Sequence, residues 1–189
     1  MEKTYYQHPI SCVKVVLFGP ESTGKSTLTE ALAKHYKTTF VPEYAREYLQ
    51  LKWNREQKTC SQADLIPIAE GQIRLENELA LLANKVLICD TDLLQTQVYS
   101  EVYYKGYCDP SIRSSAKKNS YDLYFLCDID VPWVADDLRD KPNERELMFN
   151  AFEAALKRYQ RPYVMLHGSK RQRFDVAKQH IDQLIKTTT

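Results

Sequence analysis

The chain has 189 residues, of which 43% are hydrophobic and 27% charged, and its formal net charge is +1. That length suits one domain with a buried core, and so even a charge balance supplies no field to hold nucleic acid. Absence of any run of about 18 apolar residues argues against a membrane span, and residues 1–11 have no apolar core like that of a signal peptide. Five cysteines (Cys12, Cys60, Cys89, Cys108 and Cys127) include no C-x-x-C pair, which predicts a reduced, cytoplasmic protein. Histidines 8, 35, 167 and 180 show no metal-ligand spacing.

Val13 to Phe18 is a mostly apolar, β-branched run and reads as a buried strand. The stretch Gly19-Pro20-Glu21-Ser22-Thr23-Gly24-Lys25-Ser26-Thr27 follows and fits G-x-x-x-x-G-K-[ST]. Leu28, Ala31, Leu32 and Tyr36 then recur at helical spacing. Strand, glycine-bearing loop and helix in that order form a phosphate cradle, in which main-chain N–H groups and the helix dipole hold the anion. Residues Gly19, Glu21, Ser22, Thr23, Gly24, Lys25, Ser26 and Thr27 are therefore the candidate nucleotide-binding set. Lys25 is positioned for the β- and γ-phosphates, and Ser26 for Mg²⁺.

Thr38 to Pro42 reads as a second strand, and Glu43 to about Trp53 as a helix. Ser61 with Asp64 marks a helix start, from which Ile68, Leu75, Leu79 and Leu82 trace one face to about Asn84. Lys85 to Asp92 is the third strand, and Leu93 to Tyr104 a helix closed by Gly106. Tyr121 to Ile129 is the fourth strand, Glu144 to Tyr159 an amphipathic helix, and Tyr163 to Gly168 the fifth strand. Phe174, Ala177, Ile181, Leu184 and Ile185 line a last helix. Lys170, Arg171 and Arg173 read as a solvated basic run. Alternating strands and helices imply an α/β fold, a parallel sheet covered on both faces, whose ligands bind beyond the carboxyl ends of the strands. The P-loop, Glu43, Asp90, Asp92 and Gly168 gather on that rim.

Asp90 ends a buried strand and has the form of a carboxylate that helps hold Mg²⁺; a strand-end Asp also often caps the next helix. Asp92 either orders a sugar hydroxyl, acts as base or caps the Leu93 helix. Glu43 either accepts the proton of an attacking hydroxyl or supplies charge to a first helical turn. Arg46 either clamps phosphate or pairs along its helix with Glu43 or Glu47. Trp133 to Arg139 has the character of a flap, extending over about 131–146, on which Arg139 reaches the transferring group or stays in solvent. Arg145 is a second candidate. Tyr99, Tyr103, Tyr104 and Tyr107 crowd one region, as core or as faces for a cationic ring. No [NT]-K-x-D element is present, which argues against a GTPase; a small-molecule kinase fits better, with a nucleotide-dependent switch as the rival.

The Glu21-Ser22 pair in the P-loop, Glu43-Tyr44-x-Arg46-Glu47, Asp90-Thr91-Asp92 with Thr96-Gln97, Trp133-Val134-x-Asp136-Asp137 with Arg139, and Pro162-Tyr163 together resemble one family. It is the nicotinamide riboside kinase domain of the NadR-type NAD-salvage proteins, and the likeness runs over about residues 13–185. The resemblance implies transfer of the ATP γ-phosphoryl to the 5′-hydroxyl of nicotinamide riboside, a five-stranded sheet of order 2-3-1-4-5, and adenine near Gly168 and Ser169. It further implies Lys25, Glu43, Asp92 and Arg139 as catalytic, Glu43, Tyr44, Arg46, Asp92 and Tyr103 around the acceptor, and Ser26 with Asp90 on the metal. Another nucleoside or small metabolite as acceptor is the near alternative. Pro42 stands where members of that family can carry a tryptophan, so either the acceptor differs here or another aromatic meets the ring.

Overall fold

The computed structural model describes residues 5–139 and 143–188. Its elements are β1 (Val13–Phe18), α1 (Lys25–Tyr36), β2 (Phe40–Val41), α2 (Tyr44–Glu56), a 3-10 turn (Gln62–Asp64) and α3 (Leu65–Ala80). There follow β3 (Val86–Asp90), α4 (Leu93–Tyr103), α5 (Pro110–Lys118), β4 (Leu123–Cys127), α6 (Arg145–Arg158), β5 (Tyr163–Leu166) and α7 (Lys170–Thr188). The five strands form one sheet in the order β2-β3-β1-β4-β5, each neighbouring pair parallel. That is the order implied by the resemblance.

Period-two alternation divides the sheet residues between two cores. Val13, Val15, Leu17, Ile88 and Phe125 face α1 and α7, meeting Leu28, Leu32, Ala177 and Ile181. Val16, Phe18, Leu87, Cys89, Tyr124 and Leu126 face the layer of α3, α4, α5 and α6. Phe18 is edge-on to Phe152 at 4.9 Å and to Tyr124 at 5.4 Å, so β1, β4 and α6 share one aromatic junction. Truncating so buried a ring as Phe152 costs about 3–5 kcal/mol.

The buried carboxylates Glu76 and Asp92 on this side of the sheet are paired. The Tyr121 hydroxyl donates to Glu76 at 2.7 Å and Gln7 donates to the same carboxylate at 2.6 Å. The Tyr124 hydroxyl donates to Asp92 at 2.7 Å.

Ser61 and Asp64 mark the expected helix start and form a reciprocal cap, each side chain bonding the other's main chain. Helix α3 ends at Ala80, however, not near Asn84, and Leu82 is exposed beyond it. The second strand shrinks to two residues. Helix α5 fills a stretch to which no element was assigned; Asp109 caps it and Pro110 occupies its first turn. Arg173 is buried rather than solvated. No helix among the described residues is long and apolar enough to cross a membrane.

Candidate active site

Residues at the carboxyl ends of β1, β2 and β3 frame a cavity of about 610 Å³. One wall is the loop from Glu21 to Thr27; the other carries Glu43, Arg46, Asp90 and Arg139. Gly24 takes φ +80° and precedes α1 as its cap residue. No side chain caps the helix and its first turn holds no acid, so its leading N–H groups and positive dipole end are available to an anion. Lys25 is buried and donates to the carbonyls of Gly19 and Pro20 at 2.9 and 2.7 Å. Gly19 itself packs against the end of β4 and lies outside the cavity lining.

Asp90 is 2% exposed, and its Oδ1 has no hydrogen-bond partner. Burial raises its pKa, while the Lys25 charge and the Ser26 hydroxyl oppose the shift. Thr91 then adopts φ +74°, in the left-handed region that β-branched residues avoid. That one residue breaks the strand alternation. Asp90 is left facing the P-loop, while Asp92 turns inward, 1% exposed, accepting from Gln95 N at 3.1 Å and from the Tyr124 hydroxyl at 2.7 Å. Burial raises its pKa to about 6 against those two donors. Asp92 is thus the cap of α4 and lines neither cavity, contrary to the role of base or sugar ligand.

Glu43 sits where the main chain passes from β2 to α2. Burial raises its pKa, Lys25 lowers it and Asp90 raises it further. Its Oε1 accepts from Gln95 Nε2 at 3.4 Å. Gln72 of α3 holds the main chain on both sides of it, accepting from Tyr44 N at 2.9 Å and donating to Pro42 O at 3.4 Å. Tyr44 is turned away from both cavities. Its ring lies against Gly71, where a Cβ would come within 2.0 Å, so it packs α2 on α3 and does not meet a ligand.

The segment after β4 reaches back over the P-loop. Val134 N donates to the Ser22 hydroxyl at 2.9 Å. Arg145 donates to Val131 O and Ser22 O and lies 5.8 Å from the Trp133 ring centre, so it braces the segment. Arg46 pairs with Asp136 at 2.6 Å, not with Glu43 or Glu47 along its own helix. Asp136 also pairs with Arg139 at 3.1 Å, which keeps both guanidiniums on the cavity wall. Burial raises the Asp136 pKa, but the Arg46 bond and the Leu138 N–H outweigh it and hold it low. Of the expected flap, residues 140–142 lie outside the described residues, and α6 already begins at Arg145.

Gly168 and Ser169 do not line the cavity but are tied to its frame. Arg173, 4% exposed, donates to Gly168 O at 3.1 Å, Thr23 O at 2.8 Å and Asp128 O at 3.1 Å, and pairs with Asp130. One guanidinium therefore fixes the P-loop to the ends of β4 and β5. Read as part of a basic run, it gave no sign of this in the sequence.

A second cavity of about 220 Å³ opens on the far side of Glu43. Glu21, Glu43, Ala45, Leu49 and Leu138 border both cavities. Its own walls are Leu65, Ile68 and Gln72 of α3, Gln95, Thr96, Tyr99 and Tyr103 of α4, and Cys60 and Tyr104. Tyr103 lines this cavity, while Tyr107 is exposed and outside it. Gln72 and Gln95 carried no motif that would have singled them out.

Among the described residues no group of three or more His, Cys, Asp or Glu could hold a metal ion. Mg²⁺ needs no such group, since one carboxylate, waters and phosphate oxygens commonly complete its shell. The unpartnered Asp90 Oδ1 and the Ser26 hydroxyl beside that carboxylate fit such a site.

A family model described as an AAA domain (AAA_28) matches residues 14–173. The chain is 34% identical over 125 residues to the trifunctional NAD biosynthesis/regulator protein NadR of Salmonella typhimurium and to that of Escherichia coli. Each match covers 66% of this chain but 30% of the relative, so the similarity spans less than a third of those proteins. A crystal structure of NadR protein in complex with NAD and AMP-PNP superposes with TM-score 0.72 at 23% identity, covering 91% of this chain and 49% of that one. One of NadR protein in complex with NR gives 0.66 at 20%, over 94% and 52%. Thymidylate kinase from Ehrlichia chaffeensis gives 0.63 at 15%, over 94% and 100%.

Proposed function

From the premise that the chain belongs to the AAA-domain family AAA_28, we propose that it is an ATP-dependent kinase of nicotinamide riboside, yielding nicotinamide mononucleotide for NAD salvage. One observation carries this reading. A charged cavity built on a P-loop and a smaller tyrosine-lined cavity meet at the half-buried carboxylate of Glu43, with Glu21 also on their shared border. A donor triphosphate and a small acceptor fit side by side in that arrangement, with a base between them. The similarity to NadR proteins supports NAD salvage as its setting.

In the mechanism, main-chain N–H groups of residues 21–27 hold the β- and γ-phosphates at the start of α1. Lys25 leaves its two loop carbonyls for the phosphate oxygens and, with Arg139 and Arg46, faces the charge of the transferring group. Asp90 and Ser26 would hold Mg²⁺, which when bound neutralises charge on the β- and γ-oxygens. Glu43 accepts the proton of the acceptor hydroxyl as that oxygen bonds to the γ-phosphorus and the bond to the β-phosphate oxygen breaks, releasing ADP. Burial, by raising the Glu43 pKa, makes it a better base at neutral pH than an exposed glutamate. Segment 131–139, pinned to Ser22, keeps water from the transferring group. Tyr99, Tyr103 and Tyr104 offer ring faces to the nicotinamide cation. All five cysteines are free, which supports a cytoplasmic enzyme.

The test is ADP release from ATP and Mg²⁺ with a panel of nucleosides. ADP formed with nicotinamide riboside, well above every other acceptor, is expected. ADP formed chiefly with another nucleoside would reassign the acceptor, and none with any acceptor would end the kinase reading.

A further inference from the structure

The smaller cavity contains a polar group that the mechanism above does not use. Gln95, in the first turn of α4, is 3% exposed, and its Oε1 has no hydrogen-bond partner. The same amide donates through Nε2 to Glu43 Oε1, an orientation fixed because a carboxylate repels the amide oxygen. The oxygen end is therefore turned away from Glu43, on a side chain that lines the smaller cavity. A buried acceptor left unpaired costs about 1–3 kcal/mol, so a ligand donor is the natural partner for it. Its neighbours do not supply one. Gln72, the other buried amide of this wall, spends both its ends on the main chain around Glu43.

Position along α4 says which part of a ligand Gln95 meets. Gln95, Tyr99 and Tyr103 are spaced four apart and lie on one face of the helix, and all three line the cavity. Gln95 is at the Glu43 end, and Tyr103 stands about 12 Å further along the axis at 1.5 Å per residue. A hydroxyl presented to Glu43 for phosphorylation leaves the sugar bearing it beside Gln95 and the base or ring beside the tyrosines. The helix end that carries Gln95 is itself rigid. Asp92 accepts from Gln95 N, and Tyr124 holds the other oxygen of Asp92.

We propose that Gln95 is a specificity-determining residue whose Oε1 accepts a hydrogen bond from a second hydroxyl of the acceptor's pentose, selecting ribosides over deoxyribosides. Asp92 acts behind it as a positioning residue. This rests on the kinase reading and refines its acceptor site.

The test compares wild type with Gln95→Met, which keeps the length of the side chain and removes the amide. Both are assayed on nicotinamide riboside and its 2′-deoxy and 3′-deoxy forms. If the wild type prefers another ribonucleoside, the same deoxy series of that compound is used. In wild type one of the two deletions lowers kcat/KM about tenfold to a hundredfold, the scale of leaving a buried acceptor unpaired. In Gln95→Met that discrimination collapses while KM for ATP stays unchanged. Equal use of riboside and both deoxyribosides by wild type would overturn the proposal without any variant having to fold. So would a folded Gln95→Met that discriminates as strongly as wild type. A variant that loses only its preference for the ring carboxamide over its acetyl counterpart would also overturn it, placing Gln95 on the ring. Wild type inactive on every nucleoside would sink the kinase reading itself and this proposal with it, a result visible before the variant is compared.

Discussion

The two cavities that meet at Glu43 are made of different material. The larger is framed by main chain, with a glycine-led loop, the start of α1 and a buried lysine folded onto loop carbonyls. The smaller is framed by side chains on two helices, α3 and α4, whose rotation decides which residues it receives. A site of main-chain donors recognises a shape common to all triphosphates and tolerates change around it. A site of side chains recognises one acceptor and is rewritten by single substitutions. The difference separates what this fold must keep from what it is free to vary.

The sharpest way to break the larger cavity is Lys25→Ala. Turnover should fall at least about a hundredfold, the scale for one preorganised charge, in an assay of ADP release. Near-normal turnover would remove Lys25 from the mechanism. Glu43→Gln tests the junction, because it keeps the bonds of the side chain and removes the base. We expect kcat to fall about a hundredfold with nucleotide affinity kept, since general-base contributions begin on that scale. An equal loss in binding of the ATP analogue would show that Glu43 serves the nucleotide side instead.

Arg173→Met asks whether the main-chain site depends on its brace. Four partners lose their donor at once, and the fold should lose about 2–3 kcal/mol in denaturant unfolding, as for hydrogen bonds to a charged group. An unchanged midpoint would mean the P-loop is held without it.

The smallest effect concerns a buried residue one turn along α3 from Gln72, which lines the smaller cavity. Glu76 is buried and its pKa is raised by burial, against the Tyr121 hydroxyl, the Lys14 charge and Gln7. A carboxyl that keeps its proton longer in the folded chain contributes stability that is full below its unfolded pKa and lost as pH rises through its folded pKa. Glu76→Gln should therefore flatten the decline of unfolding free energy on the alkaline side of about pH 4.5, the ordinary glutamate range. A variant whose pH profile parallels wild type would show that Glu76 titrates normally.

The same contrast explains what could be read in advance. The presence of five strands and the P-loop follow from apolar runs and a motif whose geometry is carried by main chain, while the sheet order came from the family resemblance. Asp90 was legible because it ends a buried strand. Asp92 was not, because a single left-handed residue, Thr91, reverses the side chain that follows it. Tyr44 belongs to a motif, yet its direction depends on Gly71, 27 positions later in the sequence. Arg173 sits among other basic residues, and only the approach of the P-loop shows its use. Helix α5 went unread, because its apolar pair Ile112 and Ala116 is too short a stripe to announce a helix and only the cap and first-turn proline of Asp109-Pro110 mark its start. Gln95 needed both the α4 cap and the position of Glu43.

Simultaneous occupancy tests the two-cavity arrangement most directly. Protein saturated with a non-hydrolysable ATP analogue and Mg²⁺ would be titrated with nicotinamide riboside in a calorimeter. One acceptor should bind per chain with the analogue retained, because each ligand has its own walls and only Glu21, Glu43, Ala45, Leu49 and Leu138 are shared. Displacement of one ligand by the other would contradict the arrangement of donor and acceptor on either side of that carboxylate.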